Sequence, residues 1–417
     1  MSTIANKLYF DTLGCAKNHV DTNHMIDDLS NNGYAIVDNP DVADIIILNT
    51  CAFIEAATSE SIDTFFDYKN QYPEKKIVVA GCLVSRYKDD LKKSLSEADM
   101  FISCNQEENI VDILGKLNEI GNKPEENKSY EYVKISEGCN RFCSYCTIPF
   151  IRGRYKSILY EDIARDVKKT NAKEIVLVAQ DCGAWGSDIG SKLSYLLDKL
   201  AKDFPNKLFR VLYIQPDAID KDLIAIFKFN KNIVNYFDVP IQHVSSRLLK
   251  SMNRKPLNNF YDLIKSNIPD AKLRTTIIVG YPGETEEDFE ELCDFINKDY
   301  FDYVGIFKYS QEEGTKAAKL DNQVDEDTKN RRFNILRDIC DSLSLGKIDK
   351  YIGTVQQIIV EGAEDDRMYG RCQFQAPDVD GVVYFPYTKN INIGETVSVK
   401  IKDSELYDLV GELIEVD

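Results

Sequence analysis

Histidine is nearly absent, with three in 417 residues, so a zinc site of the mixed Cys–His kind has few ligands to draw on. Basic residues are also in deficit, 51 Lys and Arg against 69 Asp and Glu, for a net charge of −18. Such a chain repels nucleic-acid phosphates in general and favours a basic partner. Solubility alone would also account for the charge, and a local basic groove still has room. Long apolar runs are missing: the longest, such as IIIL at 45–48, are strand-sized, which argues against any membrane role. The opening MSTIANKLYF has no signal-peptide character. Eleven cysteines in so large a chain therefore point to reducing cytosol rather than to disulfides, and a cytoplasmic protein is expected. A 43 % hydrophobic content over this length predicts two or three domains.

What is present is a cysteine pattern. Cys139, Cys143 and Cys146 lie in SEGCNRFCSYCTIPFIRGR, a C-x3-C-x2-C triplet one ligand short of a closed site. Structural zinc takes four ligands and an ordinary iron-sulfur cluster four thiolates. Three thiolates on a four-iron cluster leave one iron open to a substrate or cofactor. A zinc knuckle completed from elsewhere in the chain is the alternative, disfavoured by the scarcity of histidine.

From residue 7 to about 105, strand-like runs alternate with helical segments, which implies a parallel α/β sheet. Each run ends on a cysteine: Cys15 after LYFDTLG, Cys51 after IIILNT, Cys82 after IVVAG and Cys104 after MFIS. In a parallel sheet these positions share the carboxyl edge, where open α/β sheets bind ligands. Three or four thiolates there can hold a second cluster, although any one cysteine is equally explained as a small core residue.

The polar stretch GNKPEENKSYE at 121–131 reads as a linker. Beyond it YVKIS, EIVLVAQ, LFRVLYI, YFDVPI, LRTTIIVG and DYVGIFKYS alternate with helices, giving six βα units and a partial parallel barrel. Active sites of such barrels lie at the carboxyl ends of the strands. The triplet follows the first strand, and Gln180, Asp181, Gln242, Arg274 and Gly280 fall at or near strand ends. After Lys350 the runs TVQQIIVE, MYGRCQF, GVVYFPY and ETVSVKIKD predict a small antiparallel β-barrel. From Tyr351 to Asp417 there are 13 acidic and 5 basic residues, a local charge of −8.

The blocks TLGCAKNHVDT, ILNTCAFIEAATSES, VAGCLVSRY, SEGCNRFCSYCTIPFIRGR, LVAQD, DVPIQHVSSRLLKSMNR, TTIIVGYPGETEEDF, GIFKYSQEEGT and GRCQFQAPDVDG, in this order, resemble the radical S-adenosylmethionine (SAM) methylthiotransferases over almost the whole chain. The resemblance implies an N-terminal methylthiotransferase domain (1–120), a radical SAM barrel (130–346) and a C-terminal TRAM domain (350–417). It also implies two 4Fe-4S clusters, one on Cys139, Cys143 and Cys146, the other on Cys15, Cys51 and Cys82. SAM binds the open iron of the first through its amino and carboxylate groups, and its cleavage gives a radical able to take hydrogen from an unactivated carbon. A second SAM methylates the sulfur carried by the other cluster. Acid–base chemistry cannot replace the radical, because an aspartate β-carbon lacks the necessary acidity.

The branch most similar acts on an aspartate β-carbon of small-subunit ribosomal protein S twelve; its sister modifies an adenosine of tRNA. TRAM domains are usually RNA-binding, yet an RNA surface needs Lys and Arg. A −8 module fits a basic ribosomal protein better, steering it to the site, and KN after Cys15 with FIEAATSES after Cys51 resembles the same branch. An electron donor is a further expected partner, and nothing demands more than a monomer. Gln180, Gln242, Arg274 and Gly280 are candidate cofactor-binding residues, each also readable as a satisfied barrel group. No catalytic residue is assigned beyond the cluster ligands. Cys104 is left out of the ligand set, and Cys182 reads as pocket lining. Cys293, Cys340 and Cys372 read as core or incidental. His243 reads as structural, Thr285 and Asp288 as a capping box, and Arg152 and Arg154 are unassigned.

Overall fold

A computed structural model of the protein describes residues 6–117, 121–124 and 127–414. At the N-terminus, strands β1 (Lys7–Thr12), β2 (Ala35–Ile36), β3 (Ile45–Thr50), β4 (Lys76–Gly81) and β5 (Met100–Ser103) form a parallel sheet in the order β2-β1-β3-β4-β5. Helices α1 (Ala16–Ser30), α2 (Glu55–Gln71), α3 (Cys82–Ser94) and α4 (Ile110–Leu114) cover it. Strand β3, IIILNT, is buried throughout, as a central strand with helices on both faces must be. Its period of two sends Ile46 and Leu48 into one core with Phe65 and Leu91, and Ile45 and Ile47 into another with Met25 and Leu29. Of the expected linker, residues 125–126 lie outside the described residues, and its last two belong to the next strand.

That strand, β6 (Tyr130–Lys134), opens the central unit. A ribbon of β7 (Ser136–Glu137) and β8 (Lys156–Ser157) brackets the triplet loop and α5 (Ile148–Ile151). Then follow α6 (Tyr160–Lys169), β9 (Glu174–Val178), α7 (Leu193–Asp203), β10 (Leu208–Val211), α8 (Lys221–Phe229) and β11 (Tyr236–Asp238). The series closes with α9 (Ser246–Ser251), α10 (Phe260–Asn267), β12 (Lys272–Val279), α11 (Glu286–Ile296), β13 (Tyr303–Lys308) and α12 (Glu326–Ile348). The strands run parallel as β10-β9-β6 and β11-β12-β13, the two groups joined by the parallel bridge Phe209–Ile233. This is the partial six-stranded barrel. Leucines and phenylalanines of the helices pack on its outside, while Tyr132, Val176, Tyr236 and Tyr303 line the inside.

Two flanking units close the barrel's interior. Val20 of α1 and Ala376 of the C-terminal unit both pack into the inner cluster. The C-terminal unit is a closed barrel in the order β14-β15-β16-β18-β17, from β14 (Val355–Glu364), β15 (Arg367–Arg371), β16 (Val383–Pro386), β17 (Thr396–Glu405) and β18 (Asp408–Leu413). Strand β18 was not foreseen, and it pairs in parallel with β16 within a barrel otherwise antiparallel. Buried charges bind this unit to the central barrel. Glu174 holds Arg210 at 2.6 Å and Arg371 at 2.8 Å, and Arg371 reaches Glu361 at 2.7 Å. Among the described residues no helix is long and apolar enough to cross a membrane.

Candidate active site

The sheet's topology brings the N-terminal cysteines to one edge. Cys15 caps α1, Cys51 follows β3, Cys82 opens α3 and Cys104 follows β5. Cys51 interacts electrostatically with both Cys82 and Cys15. Gly14, at φ +96°, makes the approach of the first two loops possible: a Cβ there would sit 2.6 Å from Cys51 Cβ. Asn18 stitches the same loops together, its Nδ2 donating to Leu13 O at 2.8 Å and Thr50 O at 3.1 Å. Burial pushes the Cys51 thiol up to about 11. Cys82 is drawn down to about 6 by the thiol of Cys104, 4.0 Å away, and by the Arg152 guanidinium at 3.3 Å, against burial.

The second triplet rides on one loop. Gly138, at φ +69°, turns the chain where a Cβ would lie 2.3 Å from Arg154 O, and Cys139 N donates to Gly153 O at 3.2 Å. Further along, Ser144 N donates to Met252 O at 3.0 Å, and Asn253 Nδ2 donates to Arg141 O and Phe142 O. Arg254 Nη1 lies 4.0 Å from Cys143 Sγ, and burial pushes Cys146 up to about 12. A ligated cysteine must shed its proton, so metal binding here is also proton release. Among the described residues no three His, Cys, Asp or Glu side chains are gathered tightly enough for a single metal ion. A four-iron cluster is a larger body and takes its thiolates further apart, and two all-sulfur sets of three suit it chemically.

A charged seam ties the triplet loop to the first helix beneath the sheet set. Arg152, just after the triplet loop and 2 % exposed at its side chain, donates to Asp21 Oδ2 at 2.5 Å and Asn18 Oδ1 at 2.6 Å on α1. Lys134 bridges Asp21 and Glu137, each at 2.5 Å. Glu312, beyond β13, takes Arg86 of α3 at 2.7 Å and the Glu55 N–H that starts α2 at 2.9 Å. Ile151 of α5 is buried in the N-terminal core with Leu48 and Leu83.

The expected cofactor-binding residues divide. Gln180 Nε2 donates to Glu137 at 3.3 Å, while Gln180 Oε1 and the neighbouring Asp181 Oδ1 are buried acceptors without a donor. Asp181 is held by Arg141 at 2.5 Å and acts electrostatically on Cys139, so a donor-bearing ligand beside that thiol would find acceptors ready. Burial pushes the Asp181 carboxyl above the usual range in spite of Arg141. Gln242 sits at φ +69° and bridges in parallel to Ile277 through its backbone. Arg274 is engaged by Asp238 at 3.1 Å and by Asp380 of the C-terminal unit at 3.6 Å, so its guanidinium serves a domain junction. Gly280, at φ +74°, leaves room for Lys329, which a Cβ would meet at 2.3 Å. His243 accepts from Ser245 N at Nδ1 and pairs with Glu284 at 3.1 Å, a buried structural contact. Thr285 and Asp288 form the capping box. From sequence Arg152 reads only as part of IRGR, unassigned, and Lys17 and Asn18 only as the KN after Cys15, with no role at a seam.

Residues 133–296 match the radical SAM superfamily, 7–103 the uncharacterized protein family UPF0004 and 352–414 the TRAM domain. The fold is shared with a solved radical SAM methyltransferase, TsrM of Kitasatospora setae, at TM-score 0.56 and 10 % identity over 73 % of this chain and 75 % of that one. A three-thiol loop at the mouth of such a barrel defines the class, a radical SAM enzyme. The chain is 42 % identical to the ribosomal protein uS12 methylthiotransferase RimO of Clostridioides difficile (strain 630), over 98 % of its own length and 99 % of that protein. It is 38 % identical to the protein of the same name from Bdellovibrio bacteriovorus (strain ATCC 15356 / DSM 50701 / NCIMB 9529 / HD100), over 98 % and 97 %. The chain belongs to the RimO family of ribosomal protein uS12 methylthiotransferases.

Proposed function

We propose that the chain installs a methylthio group on the β-carbon of an aspartate in ribosomal protein uS12. The observation that carries this reading is the pair of three-thiol sets, one on the barrel loop and one on the sheet edge, with Arg152, Asp21 and Lys134 linking the loop to the sheet unit. Cys139, Cys143 and Cys146 would hold one 4Fe-4S cluster, and Cys15, Cys51 and Cys82 a second. With both clusters and SAM bound, the first supplies radical cleavage of SAM and the second carries the sulfur to be inserted. Around them the chain supplies charge and shelter. Arg254 beside Cys143 and Arg152 beside Cys82 offset thiolate charge. Gln180 Oε1 and Asp181 Oδ1 offer acceptors to the amino group of SAM.

The basic uS12 protein would be steered by the acidic C-terminal barrel, whose Glu364, Asp365, Asp366 and Asp403 are exposed. An external electron donor is required, and the enzyme acts as a cytoplasmic monomer. Anaerobically reconstituted enzyme, SAM and a reductant should add the mass of a methylthio group to uS12 and leave tRNA unchanged. Modification of tRNA alone would overturn the assignment.

A further inference from the structure

One charge in the seam has no carboxylate counterpart. Lys17, in the first turn of α1 and two residues after Cys15, is only 9 % exposed. Its Nζ lies 3.9 Å from the centroid of the Tyr213 ring, and its electrostatic neighbours are Tyr213, Cys15, Cys182 and the like-charged Arg152. Among the described residues no carboxylate pairs with this ammonium, and those of the seam hold other cations. Asp21 and Glu137 serve Lys134 and Arg152, Asp181 serves Arg141, and Asp238 serves Arg274 and the Tyr213 N–H. An ammonium withdrawn from water without a hydrogen-bonded carboxylate is costly, and a cation–π contact together with the neighbouring thiols offsets only part of that cost. Its platform is strained as well. Tyr213 has φ +59°, rare for a bulky residue, and is fixed there by Asp238 and by the Cys182 N–H to its carbonyl at 3.1 Å.

We propose that Lys17 binds the β-carboxylate of the substrate aspartate, an inference that rests on the function proposed above. The target side chain carries one carboxylate, bonded directly to the carbon to be modified, and entering the dry seam it needs a cation there. Lys17 stands between Cys15 of the sheet set and the ends of β9 and β10, where Cys182 and Tyr213 lie. A carboxylate on its ammonium brings the adjoining β-carbon beside the sheet set, at the ends of β9 and β10. Lys17 is thus a substrate-binding and specificity residue, selecting aspartate over its amide.

The test measures binding rather than turnover. Labelled uS12 peptides carrying the target Asp, or Asn in its place, are titrated anaerobically onto reconstituted enzyme and followed by fluorescence anisotropy. Wild type should prefer the Asp peptide by about 10- to 100-fold, the range of a charge-assisted hydrogen bond. Lys17→Met should bind both peptides alike, and Lys17→Arg should keep part of the preference. Iron and sulfide content reports the integrity of each variant; should Lys17→Met lose iron, Lys17→Gln makes the same comparison. An undiminished preference in an iron-replete uncharged variant overturns the assignment, as does equal binding of both peptides by wild type. If Lys17→Met instead weakens SAM binding and leaves the peptide preference intact, the ammonium serves SAM and the proposal fails. Wild type that binds neither peptide overturns the functional reading itself.

Discussion

The two junctions of the central barrel are built from the same residue types and differ in how completely their charges are matched. At the C-terminal junction Glu174 sits between Arg210 and Arg371, Arg371 also reaches Glu361, and Arg274 sits between Asp238 and Asp380. At the N-terminal junction Arg152 and Lys134 share Asp21 and Glu137, while among the described residues Lys17 has no carboxylate partner. A junction whose buried charges all find partners is a fastening, since such pairs cost desolvation and contribute mainly geometry. One that leaves a buried ammonium without a carboxylate is arranged for something not part of the chain.

The contrast can be broken most severely at the thiols. Replacing Cys139, Cys143 and Cys146 by Ala should abolish 5′-deoxyadenosine formation and remove about half the iron. Replacing Cys15, Cys51 and Cys82 should also halve the iron, but leave deoxyadenosine formation in place while sulfur insertion disappears. Equal loss of both activities in folded protein would deny the sets separate roles. Arg152→Met comes next: it leaves Asp21 with Lys134 alone, takes the donor from Asn18 Oδ1 and removes the cation beside Cys82, which should cost about 1–3 kcal/mol. The loss would be read as a lower Tm together with selective loss of iron from the sheet set.

Glu174→Gln examines the other junction. Its carboxyl is held down to about 2 by Arg210 and Arg371 in spite of burial, against 4.5 ordinarily, which corresponds to about 3 kcal/mol at neutral pH. A depressed carboxyl stabilises above its unfolded value and ceases to as pH falls through its folded one. The stability advantage of wild type over Glu174→Gln should therefore be full above about pH 4.5 and gone near pH 2. Thermal melts of cluster-free protein would show this, and an advantage that grew in acid would contradict it. Deoxyadenosine formed per folded molecule at neutral pH should be unchanged, which separates fastening from site. Gly14→Ala should cost about 1–2 kcal/mol and loosen the sheet set, whereas breaking the exposed Lys402–Glu412 pair should change stability by less than about 0.5 kcal/mol.

Much of this arrangement was legible in the sequence, for reasons that differ by region. IIILNT and KIVVAG announce buried parallel strands because each is apolar on both faces, and the cysteine after each then falls at the sheet's edge without further information. The last strand, DLVGEL, was missed because Gly411 and the acids at its ends interrupt the apolar alternation, and its parallel pairing with β16 leaves no local trace. Arg274 reads as a strand-end group free for a ligand, but its partner Asp380 lies more than a hundred residues away in another unit. Lys17 shows the same limit in reverse. Its position beside Cys15 is plain, yet its isolation becomes visible only when Tyr213 and every nearby carboxylate have been placed.

The way each thiol set is gathered also bears on maturation. The loop set spans eight residues and brings its sulfurs together through local turns, so iron can meet it in a chain that is still folding. The sheet set draws on three strand ends spread over 68 residues and does not exist until β1, β3 and β4 are in register. On the proposed ligand sets, the sheet cluster would be delivered only to a finished sheet, and the loop set would be open to assembly before it.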